Sequence, residues 1–128
     1  MTDKIKIGLD IHGVIDKLPE VFSFLSKSII KNDGEVHIIT GGSWNDDIIE
    51  KLKKYDIKYT HSFSIYDYMM DNNFEHSNEE ITFPDGTKQK KFNSREWDKI
   101  KGYYCKENNI SLHIDDRENY SKNFSTPF

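Results

Sequence analysis

The chain has 128 residues, a formal net charge of −4 and one cysteine, Cys105. That length allows a single modest domain with one core, the charge gives no general field for attracting polyanions, and a lone thiol excludes an internal disulfide. No apolar run is long enough to span a membrane and no signal or lipidation motif is visible, so a soluble, cytoplasmic chain with no membrane association is expected.

The first element is the apolar run Ile5-Lys6-Ile7-Gly8-Leu9, which reads as a buried strand and closes on Asp10, with Ile11-His12-Gly13-Val14 as a turn behind it. Leu18, Phe22, Leu25 and Ile29 then recur at helical spacing; Pro19 suits a first turn and Asn32-Asp33-Gly34 is a stop signal. Val36 to Ile39 is the next strand and ends on Thr40-Gly41-Gly42. Ser43-Trp44-Asn45-Asp46 opens a helix whose apolar stripe is Ile48, Ile49, Leu52 and Tyr55. A short third strand is expected at Ile57 to Tyr59. Asn93 to Glu96 opens a helix carrying Trp97, Ile100 and Tyr104, and Ile110 to Ile114 is a fourth strand closing on Asp115-Asp116. Between these units lies an excursion, roughly residues 62–92, with no clean period. Within it Ile81-Thr82-Phe83 and the basic Lys88 to Lys91 flank Pro84-Asp85-Gly86, a turn sequence pointing to a small hairpin. Alternating strands and helices predict an α/β fold with a mostly parallel sheet, residues 1–128 forming one domain and the excursion an insertion in it.

Open α/β sheets place their chemistry at the carboxyl ends of the strands, where Asp10, Thr40 and Asp115 fall. An aspartate is a competent nucleophile toward phosphorus when a hard cation screens the repulsion between carboxylate and phosphate. Magnesium takes oxygen ligands, and Asp10 and Asp115 can each supply one from neighbouring strand ends. Thr40 and the amides around Gly41 and Gly42, just before a helix, can hold phosphate oxygens. A cation must balance the remaining phosphate charge, and Lys99 and Lys101 are the candidates. At about 100° per residue Lys101 lies roughly 40° from Trp97, beside the apolar stripe, whereas Lys99 lies roughly 200° away, so Lys101 is expected in the site.

Asp10-Ile11-His12-Gly13-Val14 resembles the first motif of the haloacid dehalogenase (HAD) superfamily, Asp-x-Asp-Gly-Thr/Val, and Thr40, the helix lysine and Asp115-Asp116 follow in that family's order. The resemblance implies a three-layer α/β/α sandwich with a Rossmann-like sheet, a minimal cap or none, and a magnesium-dependent phosphomonoester hydrolase working through an aspartyl-phosphate on Asp10. It also implies that the backbone carbonyl of His12 joins Asp10 and Asp115 as a metal ligand, and that Asp116 ligates through water or orients its neighbour. The His12 side chain stands where the family has its acid/base aspartate; an imidazole can exchange protons near neutrality, while a nearby metal ion opposes its protonation. The substrate class stays open among nucleotides, sugar phosphates and nucleic-acid ends, the last because Ile114-Asp115-Asp116-Arg117 resembles the corresponding stretch of polynucleotide 3′-phosphatases. No protein partner is expected. A second reading is a non-catalytic phosphate- and metal-binding module inactivated by His12. A third, a receiver domain of signalling systems, conflicts with residue order, because receivers carry their acidic pair before the phosphorylated aspartate.

The remaining histidines and apolar clusters have plainer readings. His37 and His113 fall within strands and are expected as hydrogen-bonded structural residues. No pair among His12, His37, His61, His76 and His113 has zinc-finger spacing, so a histidine zinc site is not expected. Tyr66, Tyr68, Met69 and Met70 read as core, and Cys105 as a buried, inert thiol.

Overall fold

The computed structural model of the protein describes residues 4–82 and 88–128; the expected turn Pro84-Asp85-Gly86 and its neighbour Phe83 lie outside the described residues. Strand β1 (Lys6–Leu9) runs into a tight turn over Ile11–Ile15, followed by helix α1 (Pro19–Lys31), strand β2 (Glu35–Thr40) and helix α2 (Asp46–Lys54). Strand β3 (His61–Ser64), helix α3 (Ile65–Asp71), the strands β4 (His76–Thr82) and β5 (Lys88–Phe92), helix α4 (Ser94–Glu107), strand β6 (Leu112–Ile114) and the short α5 (Glu118–Ser121) complete the order. The fold is mixed α/β, with β3-β2-β1-β6 forming a parallel sheet and β4 and β5 a separate antiparallel pair. Among the described residues no helix is long and apolar enough to cross a membrane.

Strand periodicity divides the core between the two faces of the sheet. Ile7, Leu9, Val36 and Ile38 face Phe22 and Leu25 of α1 and Ile48 and Leu52 of α2. On the other face Ile39 meets Cys105 and Tyr104 of α4, with Phe124 from the tail. A Cβ at Gly8 would collide with the His113 ring and the Ile39 side chain, so only glycine lets β1 pass beneath those two groups. A further cluster joins Ile65 and Met69 of α3 to Phe92, Ile100 and Tyr120.

Local chemistry sets the helix boundaries. Pro19 sits at the start of α1, where its missing N–H costs nothing, and Asn45 and Asn93 cap α2 and α4 by accepting from Ile48 N–H and from Arg95 and Glu96 N–H. The turns after α1, α2, α3 and α4 adopt left-handed φ values of 64°, 55°, 57° and 54° at Asp33, Asp56, Asn73 and Asn109, residue types that tolerate this region.

The third strand departs from expectation. Ile57 to Tyr59 is an irregular connection, and pairing with β2 begins only at His61. Ile57 is drawn into the core and Tyr59 packs edge-on against Trp44, while Thr60 bonds Val36 through both backbone and side chain. Apolar anchoring of the connection therefore mimicked the alternation of a strand. Residues 62–64 of the expected insertion accordingly belong to the parallel sheet, residues 65–71 form α3, and what stands outside is the β4–β5 hairpin. The fourth strand is shorter than expected, starting at Leu112 rather than Ile110, whose side chain is buried against Cys105.

Ile39→Ala, at a fully buried position in β2, is expected to lower unfolding free energy by about 2–5 kcal/mol through lost burial and the cavity left behind. Phe24→Ala, at a position 75% exposed on α1, should stay within about 0.5 kcal/mol of the wild type. Urea unfolding of both variants checks the assignment of the core face.

Candidate functional site

The parallel sheet delivers three loops to one end. β1 ends as the Asp10 N–H donates to the Ile114 carbonyl (3.1 Å), which locks the first loop against the last. Behind Asp10 the chain turns within five residues: Ile11, Val14 and Ile15 are buried, His12 is extended, and Gly13 takes φ 80°. A Cβ on Gly13 would overlap the Asp116 carboxylate, so both the backbone conformation and the approach of Asp116 require glycine there. Asp16 closes the turn by accepting the Gly13 N–H at 2.7 Å and lies 3.5 Å from Nδ1 of His12, whose side chain is 65% exposed.

The loop after β2 is held from α3. Thr40 is buried, and Ser64 and Tyr66 donate to the carbonyls of Gly42 (2.7 Å) and Gly41 (3.1 Å). Asp67 accepts from the Ser43 hydroxyl (2.8 Å) and from the Trp44 N–H (2.9 Å). This carboxylate spends its oxygens on fixing the loop that carries Gly41 and Gly42.

Lys101 comes up from α4 with a side chain 1% exposed, its ammonium 2.6 Å from Oδ2 of Asp115 and 3.2 Å from Oδ1 of Asp10. Nζ also lies over the Tyr120 ring at 4.7 Å. Lys99 is exposed, as the helical phase predicts. The Asp115 side chain is fully buried; it accepts from Nε2 of His113 (2.9 Å) and from the Arg117 N–H (3.2 Å) as well as from Lys101. A carboxylate only accepts, so Nε2 of His113 carries the ring proton, which leaves Nδ1 as a bare lone pair with no partner among the described residues. Burial pushes His113 below its ordinary pKa and favours that neutral ring.

These residues meet in a cavity of about 640 Å³, with Asp10, His12, Thr40, Gly41, Lys101 and Asp116 in its wall. Asp115 lies beneath: one carboxylate oxygen from each of Asp10, Asp115 and Asp116 can fall within 4.8 Å of the others, a hard oxygen set suited to a divalent cation. Lys88 and Gln89 of the β5 strand, together with Trp97 and Arg117, also line the cavity, so the hairpin contributes to its wall. Trp97 donates to the Tyr120 hydroxyl at 3.1 Å, and Arg117 stacks over the same ring at 5.5 Å.

Several contributors were missed in the sequence, among them Tyr120 under the Lys101 ammonium and Gln89 in the cavity wall. Asp16 stands four residues after His12 and three after Gly13, a spacing that could have marked it; Asp67 lies in a segment with no strand or helix signal and is recruited only by the fold. Of the plain readings, Met69 and Cys105 are buried while Met70 is exposed, and burial pushes the Cys105 thiol up to about 12. No family model matches this chain, and neither a curated protein nor a solved structure matches it.

The two buried acids are driven apart electrostatically. Burial pushes Asp10 up to about 7 against the pull of Lys101, with the Asp115 charge adding to the rise. Asp115 feels burial too, but hydrogen bonds from His113 and Lys101 and the Lys101 charge hold it well below the usual carboxylate range. In the metal-free protein the native state keeps a proton on Asp10 that the unfolded chain releases near its ordinary value of 3.8, so this group lowers stability as pH rises from about 4 to about 7. Buried His37 and His113, held below their ordinary values, run the other way in part of that range. Asp10→Asn should therefore gain stability relative to wild type as pH rises through that window, measured by urea unfolding in chelator. Parallel profiles would mean that Asp10 ionises in the fold as it does in the open chain.

Proposed function

We propose that this chain is a magnesium-dependent phosphomonoester hydrolase of the haloacid dehalogenase kind, with Asp10 as the phosphate-accepting nucleophile. The observation that carries the reading is the burial of the Lys101 ammonium between Asp10 and Asp115, beside Thr40, at the carboxyl ends of parallel strands. The same reading takes the sheet with helices on both faces as that superfamily's three-layer sandwich, and the β4–β5 hairpin as a minimal cap.

Asp10, Asp115 and Asp116, with the backbone carbonyl of His12, would hold the ion. Bound there, magnesium supplies the positive charge that favours ionised Asp10 and screens it from the incoming phosphate. The chain's own residues do the rest. Thr40, the Gly41 region and Lys101 hold the phosphate oxygens while an Asp10 oxygen forms a bond to phosphorus, the ester P–O bond breaks, and the leaving oxygen takes a proton from His12. Water then attacks the phosphorus of the aspartyl-phosphate, His12 accepts its proton, and the bond to Asp10 breaks to release inorganic phosphate. Asp16, 3.5 Å from the His12 ring, is the group that orients the imidazole in this scheme. A cavity whose wall also carries Lys88, Trp97 and Arg117 suits a phosphate attached to a larger group, a nucleotide, a sugar or a nucleic-acid end.

Asp10→Asn is expected to abolish phosphate release from this range of substrates while the protein stays folded; wild-type activity persisting in chelator and in Asp10→Asn would overturn the mechanism. Lys101→Ala should lose roughly thirty- to more than a hundredfold in rate, the worth of a charge-assisted contact of about 2–3 kcal/mol, with Lys99→Ala near wild type. Unfolding curves must accompany that comparison, since leaving two buried carboxylates without their cation costs about 3–5 kcal/mol of stability.

His12 decides between an enzyme and a binding module. His12→Ala should slow an alkyl phosphate far more than an activated aryl phosphate, whose leaving group needs no proton. Turnover appearing only in His12→Asp, in a wild type that binds phosphate and metal without releasing product, would favour the non-catalytic module.

A further inference from the structure

At the opposite end of the sheet from the cavity, three metal-binding side chains that are unremarkable in the sequence come together. β2 and β3 run parallel with His37 paired to His61, so the two side chains project from the same face of adjacent strands, and Glu35, two residues before His37, projects from that face as well. The two imidazole rings lie 4.2 Å apart and within 5° of parallel. Oε1 of Glu35 is 2.9 Å from Nε2 of His37 and 3.8 Å from Nδ1 of His61, and one ligand atom from each of the three can fall within 4.8 Å of the others.

We propose that Glu35, His37 and His61 form a site for a divalent transition-metal ion of the zinc class, one that ties β3 to β2. Two imidazole nitrogens and one carboxylate oxygen suit such an ion and leave a coordination position for water, whereas magnesium prefers the all-oxygen set of Asp10, Asp115 and Asp116.

The surroundings are those of a supported ligand rather than of a loose surface pair. His37 is buried, and its other ring nitrogen, Nδ1, lies 2.6 Å from the Tyr104 hydroxyl of α4. As the protein stands, Nε2 carries the ring proton and donates to Glu35 while Nδ1 accepts from the Tyr104 hydroxyl; an ion at Nε2 would displace that proton and leave the remaining one on Nδ1, where the Tyr104 oxygen can accept it, the outer-sphere arrangement that fixes a ligand histidine. Burial pushes His37 below its ordinary pKa and Tyr104 up to about 12, so a neutral imidazole and a neutral phenol are the resident forms. His61 stands on the sheet edge with its side chain 49% exposed, which gives an ion access and lets the ring turn out of the stack to aim its nitrogen at a shared ion. The carboxylate contributes a negative charge; the cation that faces it is Lys6, whose ammonium donates to the Asn108 carbonyl at 3.4 Å. The inference does not depend on the phosphatase reading, since none of these residues lines the cavity.

The test is titration of the full chain with Co²⁺ and Zn²⁺ in excess Mg²⁺, added as a competitor for the carboxylate oxygens of Asp10, Asp115 and Asp116. Wild type and Asp10→Asn are expected to bind one Co²⁺ with a visible absorption band typical of nitrogen ligands, and Zn²⁺ to compete for it and raise the melting temperature. His61→Ala, which removes a half-exposed side chain, and Glu35→Gln should lose the band and the zinc-dependent shift while keeping the metal-free melting temperature near wild type. Tyr104→Phe should retain the site with affinity roughly tenfold weaker. Absence of saturable binding in wild type, equal binding in His61→Ala, or loss of binding in Asp10→Asn would each overturn the proposal, the last by assigning the ion to the carboxylates at the other end.

Discussion

The Lys101 ammonium, buried between Asp10 and Asp115, is the contact on which the rest of the cavity depends. Two carboxylates cannot be carried together into a low-dielectric interior without a counter-charge, and the desolvation of each would otherwise neutralise it. Here one carboxylate receives most of the compensation. Asp115 takes the short bond from Lys101 and a second from His113, whereas Asp10 keeps the longer contact and faces the cavity. The result is a pair with unlike proton affinities, the arrangement that separates a permanently charged structural acid from a responsive one.

Around that pair the fold is assembled from loops that are each locked by a neighbouring element. The β1 loop is tied to β6 through Asp10 N–H and to itself through Asp16; the β2 loop is tied to α3 through Ser64, Tyr66 and Asp67. Such cross-bracing fixes donors and acceptors before any ligand arrives, which is where electrostatic preorganisation acquires its value. It also explains why α3 and β3, which have weak signals of their own, matter: their role is to hold the loop that bears Gly41 and Gly42.

The sheet thus separates two donor chemistries. Its carboxyl end gathers carboxylates from loops that follow β1 and β6, while its opposite end gathers imidazoles and a carboxylate from β2 and β3. Tyrosines of the α4 side serve polar groups at both ends: Tyr104 bonds His37, and Tyr120 accepts from Trp97 and lies under Lys101. Helix α4 therefore touches both regions as well as the core.

Much of this was legible in the residues themselves. Helical phase placed Lys101 inward and Lys99 outward because a helix rotates by a constant angle per residue, and Pro19, Asn45 and Asn93 marked helix starts because their side chains or missing N–H answer a local backbone need. Strand ends at Asp10, Thr40 and near Asp115 followed from apolar runs meeting polar residues. Other features depended on pairing between distant segments. The third strand moved from Ile57–Tyr59 to His61–Ser64 because ladder partners on β2, not local alternation, select which residues pair. Asp67 became a loop brace and His37 a neighbour of His61 for the same reason: strand register and helix docking are long-range choices. Sequence by itself determined the α/β order, the helix phases and the residue types at the strand ends; only the tertiary structure decided which carboxylate Lys101 holds closest and which histidines share a face, because those outcomes depend on how separate elements pack against one another.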